Sequence, residues 1–98
     1  MRKLRVSPNA QAELDSIWLH IARESGSTDI ATRVTDSISD RFALPSQYPY
    51  AGRRRDDLRP GLRSFAAGDH VIIYRVEEDR IVIAHVFHGS RDIAGLLG

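Results

Sequence analysis

Beyond its first six residues the spacing of apolar residues changes once along this chain, and that change limits the folds open to it. Up to about residue 44 apolar side chains recur at helical spacing, and from Leu62 onward they recur at every second residue. A stretch rich in Pro, Gly and Arg, from Ser46 to Pro60, separates the two regimes. Helices followed by strands do not give the alternating pattern of a doubly wound parallel sheet. They give a helical layer packed on a mainly antiparallel sheet, the α+β class.

The elements follow from local chemistry. Residues 2–6 alternate, with Leu4 and Val6, and read as a short first strand. Ser7-Pro8 reads as a helix start, with Ser7 as N-cap and Pro8 at the first helical position, where its missing N–H costs nothing. Leu14, Ile17, Trp18 and Ile21 form one apolar stripe. Glu13 and Asp15 toward the start and Arg23 toward the end suit the helix dipole. Ser25-Gly26-Ser27 breaks this helix, and Ser27 or Thr28 can cap a second. The second carries Ile30, Ala31, Val34, Ile38 and Phe42, and Pro45 limits it to about residue 44. A short Gly-containing connection makes the two an antiparallel hairpin. Leu62–Ala67, His70–Val76 and Arg80–Phe87 then read as three strands, with Gly68-Asp69 as a two-residue hairpin turn. The order is β-α-α-β-β-β.

The chain has 98 residues and is read as one domain, 1–98. A domain of this size buries roughly 60–65% of its unfolded surface, enough for one core but not for a deep substrate cavity. It contains no cysteine, which removes disulfides, thiolate metal sites and cysteine nucleophiles. No run approaches the ~20 apolar residues needed to span a bilayer, and the basic N-terminus lacks the apolar run of a signal peptide. A cytoplasmic protein without membrane contact is expected. Net charge is only +1, so sequence-specific DNA binding is not expected, although 13 of the 14 cations are Arg.

Two strands are apolar on both faces, Val71-Ile72-Ile73-Tyr74 and Ile81-Val82-Ile83-Ala84. A helical hairpin covers one face of a sheet. The other face is expected to present Val, Ile and aromatic surface to a partner, unless the tail and the long loop fold over it.

Several short motifs occur in a fixed order. Ser7-Pro8 precedes Ile17-Trp18 on the first helix. Pro49-Tyr50-Ala51-Gly52-Arg53 and Leu58-Arg59-Pro60-Gly61-Leu62-Arg63 follow the second helix. Tyr74-Arg75-Val76 and His88-Gly89-Ser90-Arg91-Asp92 close the set. Together they resemble the RelE/ParE toxin superfamily, and its ParE branch most. The resemblance implies the toxin of a type II toxin–antitoxin pair that acts on DNA gyrase without catalysis of its own and is neutralised by a ParD-like antitoxin. The extended segment of such an antitoxin suits a sheet with two apolar faces. Val71, Ile73, Tyr74, Arg75 and Val82 are the candidate antitoxin contacts, and Arg63, His88, Arg91 and Asp92 the candidate toxicity residues.

RelE-like relatives cut mRNA on the ribosome, which is the alternative reading. A third is an inert relative that only binds its antitoxin. Metal-free RNA cleavage needs a base, an acid and cations around the phosphate. His70, His88 and Arg63 are the candidates. His70 opens a strand where RelE-like enzymes often carry Arg, and His88 ends the last strand where some carry a catalytic His. Against this reading, the chain is near neutral, whereas ribosome-binding nucleases are strongly basic. It also lacks a Tyr-bearing or Lys-rich segment after Arg91-Asp92. His85 and His88 are three apart on a strand, hence on opposite faces, and no metal or other cofactor is expected. Arg53-Arg54-Arg55 is expected to pair locally with Asp56-Asp57.

Overall fold

In the computed structural model, which describes residues 2–97, the chain forms five strands and four helices. The strands are β1 (Lys3–Val6), β2 (Arg53–Arg54), β3 (Leu62–Ala67), β4 (His70–Val76) and β5 (Arg80–His88). The helices are α1 (Pro8–Ser25), α2 (Thr28–Asp40), α3 (Ala43–Gln47) and α4 (Ile93–Leu97). The sheet order is β1-β5-β4-β3-β2, and β1 lies parallel to β5 while the other pairs are antiparallel. Met1 and Gly98 lie outside the described residues.

Both predicted N-caps are formed. Ser7 Oγ accepts from the Ala10 amide at 3.0 Å and Ser27 Oγ from the Ile30 amide at 3.2 Å. Gly26 ends α1 with φ 68°, a left-handed conformation that a side chain would strain. The second helix stops at Asp40, short of the expected residue 44, and Pro45 lies inside the separate five-residue α3. Proline fits there because the first four N–H groups of a helix have no intrahelical acceptor anyway. Ile30 is 44% exposed, off the stripe that Ala31, Val34, Ile38 and Phe42 turn inward.

The helix-side core joins Ala10, Leu14, Ile38 and Phe42 to Ile72, Tyr74, Ile81, Ile83 and Val86. Each fully buried Ile among them contributes about 1.5–3 kcal/mol of hydrophobic stabilisation. The opposite face differs from expectation. Ile73, Phe87 and Leu62 are covered by Ile93 and Leu97 of α4, with Leu58 and Val71 packed at the margin. The tail is tied down by polar contacts as well. Arg59 donates to the Leu97 carbonyl at 2.9 Å, and Asp92 Oδ1 accepts from the Gly95 amide at 3.1 Å. The apolar second face is therefore folded under the chain's own C-terminal segment rather than left bare.

The long loop is anchored from below. The Tyr74 hydroxyl accepts from the Gly52 amide at 2.9 Å and donates to the Pro49 carbonyl at 2.8 Å, while the Tyr74 ring is fully buried. Burial pushes the Tyr74 phenol above its ordinary value, so it remains a proton donor at neutral pH. Arg63 completes the clamp by donating to the carbonyls of Gly52 at 2.8 Å and Tyr50 at 3.2 Å. Arg54–Asp56 and Arg55–Asp57 pair locally at 2.6 and 3.2 Å, as expected.

Gly52 must lack a side chain, because a Cβ there would lie 2.5 Å from the Tyr74 hydroxyl and 2.6 Å from its ring. Tyr74 is enclosed by the core and cannot swing aside. Gly52→Ala is expected to lower the unfolding free energy by about 1–3 kcal/mol, read as a reduced urea midpoint at unchanged m-value.

Candidate functional site

Where β1 stops, at Val6, β5 continues for five residues with no strand on that side. The first helix takes the place of the missing strand. The Ser7 amide donates to the Ile83 carbonyl at 2.9 Å, and Ser7 Oγ donates to the Ala84 carbonyl at 2.8 Å. Nearly two turns further on, Glu13 accepts from the Val86 amide at 2.9 Å and lies 2.9 Å from His85 Nδ1. The register between β4 and β5 shifts between Ile73, opposite His85, and Tyr74, opposite Ile83, which leaves Ala84 as the extra residue of a bulge. Side chains of α1 thus satisfy the backbone groups beside the bulge.

This arrangement opens a groove of about 1120 Å³ between α1 and the ends of β4 and β5. Glu13, Ser16, Ile17 and His20 line its helix wall, and Asp69, His70, His88 and Arg91 line its strand wall. His70 and His88 are cross-strand partners whose rings meet edge-on, with centroids 5.2 Å apart. His70 is 9% exposed, and burial, helped by the neighbouring His88, depresses its pKa below the usual imidazole value. The Ser90 amide donates to His88 Nδ1 at 3.1 Å, so the neutral His88 ring carries its proton on Nε2.

The predicted site residues do not form one constellation. His70, His88 and Arg91 share the groove. Arg63 does not join them. It is the register partner of Tyr74, four residues along β4 from His70, which is about 13 Å at strand rise. One nitrogen of its guanidinium, Nη1, is also committed to loop carbonyls. An acid, a base and a cation around one phosphate are therefore not assembled by His70, His88 and Arg63. Asp92 caps the tail helix rather than pairing with Arg91.

Among the proposed antitoxin contacts, Ile73 and Tyr74 are 0% exposed and Val82 2%, so no partner reaches them in this conformation. The expected bare surface fails here because α4 covers Ile73, while Tyr74 turns to the helix side. Val71 is half-buried at the margin, and Arg75 is exposed and paired with Glu77 at 2.8 Å. Sequence reasoning passed over two groove residues, Glu13 and His20. Glu13 was legible only as a charge suited to the helix dipole, since nothing local signals an acceptor for an amide 73 residues away.

Comparison with known proteins places the chain among toxins. Residues 4–93 match the family model for the ParE toxin of type II toxin–antitoxin system parDE. Toxin ParE1 of Caulobacter vibrioides is 32% identical over 98 residues, covering all of both chains. Toxin ParE3 of the same organism is 31% identical over 97 residues, covering 99% of this chain and 95% of that one. A solved structure of the chromosomal ParDE TA system from P. aeruginosa superposes with a TM-score of 0.79 at 23% identity, covering 90% of this chain and 96% of that one. That likeness bears on the fold, which it shares.

The depressed pKa of His70 has a definite consequence for stability. As pH falls through the ordinary imidazole value of 6.5, the unfolded chain takes up the proton first. Stability contributed at neutral pH is then lost, until the pH drops below the folded-state pKa. In ring-proton NMR titration His70 should titrate below 6.5. On acidification the wild type should lose stability relative to His70→Gln. Titration of His70 at or above the ordinary value contradicts a buried neutral ring.

Proposed function

The chain belongs to the ParE toxin family of type II toxin–antitoxin systems, and on that premise we propose that it blocks DNA gyrase and is held inactive by a ParD-like antitoxin. The observation that carries this reading is the match of residues 4–93 to the ParE model, with relatives at 31–32% identity over nearly the whole chain. The distance of Arg63 from His70 and His88 supports it from the physical side. A protein that works by occupying a target needs a shaped surface, not a converging acid, base and cation. The groove wall bearing His88 and Arg91 is the proposed toxic surface, with Arg63 and Asp92 acting through the loop and the tail that they fix. Val71 and Arg75 are the accessible members of the proposed antitoxin contact; Ile73 joins them only if α4 lifts. The place of action is the cytoplasm, where gyrase and its DNA are. No described helix is long and apolar enough to cross a membrane.

The ribosome-dependent nuclease reading makes the opposite demand on the histidines, because removing a general acid or base costs about 10²–10⁴ in rate. His70→Ala, which removes a buried ring and leaves His88 and Arg91 on the proposed toxic wall, is expected to keep its toxicity in cells. Its loss, with fold and antitoxin binding intact, would favour catalysis. In a supercoiling assay with purified gyrase and plasmid DNA, the protein should inhibit the enzyme and trap cleaved DNA. Absence of any effect at large excess would overturn the gyrase proposal, and mRNA cleavage in a translating extract would then distinguish a nuclease from an inert relative.

A further inference from the structure

The end of the sheet opposite the histidine groove presents a different surface. Tyr50 is 63% exposed and Tyr48 61%, on the segment that connects α3 to β2. The segment is tied down despite its exposure. The Tyr74 hydroxyl holds Pro49 and Gly52, and Arg63 holds the carbonyls of Tyr50 and Gly52. Two guanidinium groups lie over the Tyr50 ring, that of Arg63 at 5.1 Å and that of Arg2 at 5.8 Å from its centroid. Among the described residues neither guanidinium has a carboxylate within ion-pair distance, unlike Arg54, Arg55, Arg75 and Arg80.

A second observation adjoins the first. Arg2 also lines a cleft of about 340 Å³ with Ser46, Gln47, Pro49 and Glu78. Ser46 is 4% exposed, and its Oγ and the Arg2 Nε are buried without a hydrogen-bond partner in the protein. Buried polar atoms are normally paired, so these two mark where a polar group from outside completes the network.

We infer that Tyr50, Arg2 and Arg63, with the adjoining Ser46 cleft, form a docking surface for an acidic peptide segment of a partner protein. Guanidinium forks match carboxylates in bidentate geometry, and an exposed Tyr on a pinned backbone is an anchor that loses little entropy on binding. Single-stranded nucleic acid fits less well. Its bases would stack on the ring in competition with two guanidiniums that lie over it already. Glu78 in the cleft also opposes a continuous phosphate backbone but tolerates carboxylates spaced to avoid it. The surface does not depend on what the toxin attacks, so a silent gyrase assay leaves it standing.

The test is fluorescence anisotropy at low ionic strength, with the full chain titrated into a labelled hexaglutamate peptide and, separately, a labelled dT12 oligonucleotide. The peptide should bind and be released by salt. Tyr50→Ala and Arg2→Gln should each weaken it about tenfold. Tyr50→Phe should retain binding, and so should Arg33→Gln, which removes an exposed cation from α2. Both Tyr50 and Arg2 are peripheral, so circular dichroism should show each variant folded, and either variant alone decides the matter if the other does not fold. No peptide binding, equal loss in Arg33→Gln and Arg2→Gln, or tighter binding of dT12 than of hexaglutamate overturns the inference.

Discussion

The structure depends on how the first helix closes the edge of the last strand. Ser7 does three things at one position. Its hydroxyl caps α1, the same hydroxyl donates to Ala84, and its amide continues the β1 ladder to Ile83. Glu13, on the same helix, takes the Val86 amide. Unpaired backbone groups at a buried sheet edge cost about 1–3 kcal/mol each, so the register of α1 on β5 is set by hydrogen bonds as well as by apolar packing. The bulge at Ala84 sits inside this set of contacts, and the position of the histidine groove follows from it.

A second fixed point lies at the other end of β4. Tyr74 is an apolar residue to the core and a polar one to the loop: its ring fills space beneath the helices, and its hydroxyl organises Pro49 and Gly52. The two ends of one strand therefore carry two surfaces, one built on His70 and one above Tyr74. The strand separates them, so that neither surface contributes side chains to the other. This separation keeps Arg63 away from His70, so that Arg63, His70 and His88 do not surround one phosphate.

The central sheet is apolar on both sides, which invites a partner. The chain answers part of that demand itself. A five-residue helix, an Arg59 clamp on the Leu97 carbonyl and an Asp92 cap place Ile93 and Leu97 over Ile73 and Phe87. Short helices have little stability of their own, and the packing of these two side chains is what holds α4 in place. What remains open to a partner is the margin of that face, near Val71 and Arg75.

The sequence by itself determined the parts whose causes are local. The Ser7 and Ser27 caps, the Gly68-Asp69 hairpin, the bounds of β3 and β4 and the Arg54–Asp56 and Arg55–Asp57 pairs all follow from residues a few positions apart. The ordered motifs, from Ser7-Pro8 to Arg91-Asp92, also carried the family. Only the tertiary structure decided which way the second sheet face is covered, where β1 joins the sheet, that β2 exists, and which titratable groups meet. Glu13 reaching Val86, Arg59 reaching Leu97 and Tyr74 reaching Gly52 span 73, 38 and 22 residues. Periodicity and turn chemistry report on neighbours in sequence, whereas these contacts depend on the angle at which whole layers pack, and no single residue encodes that angle.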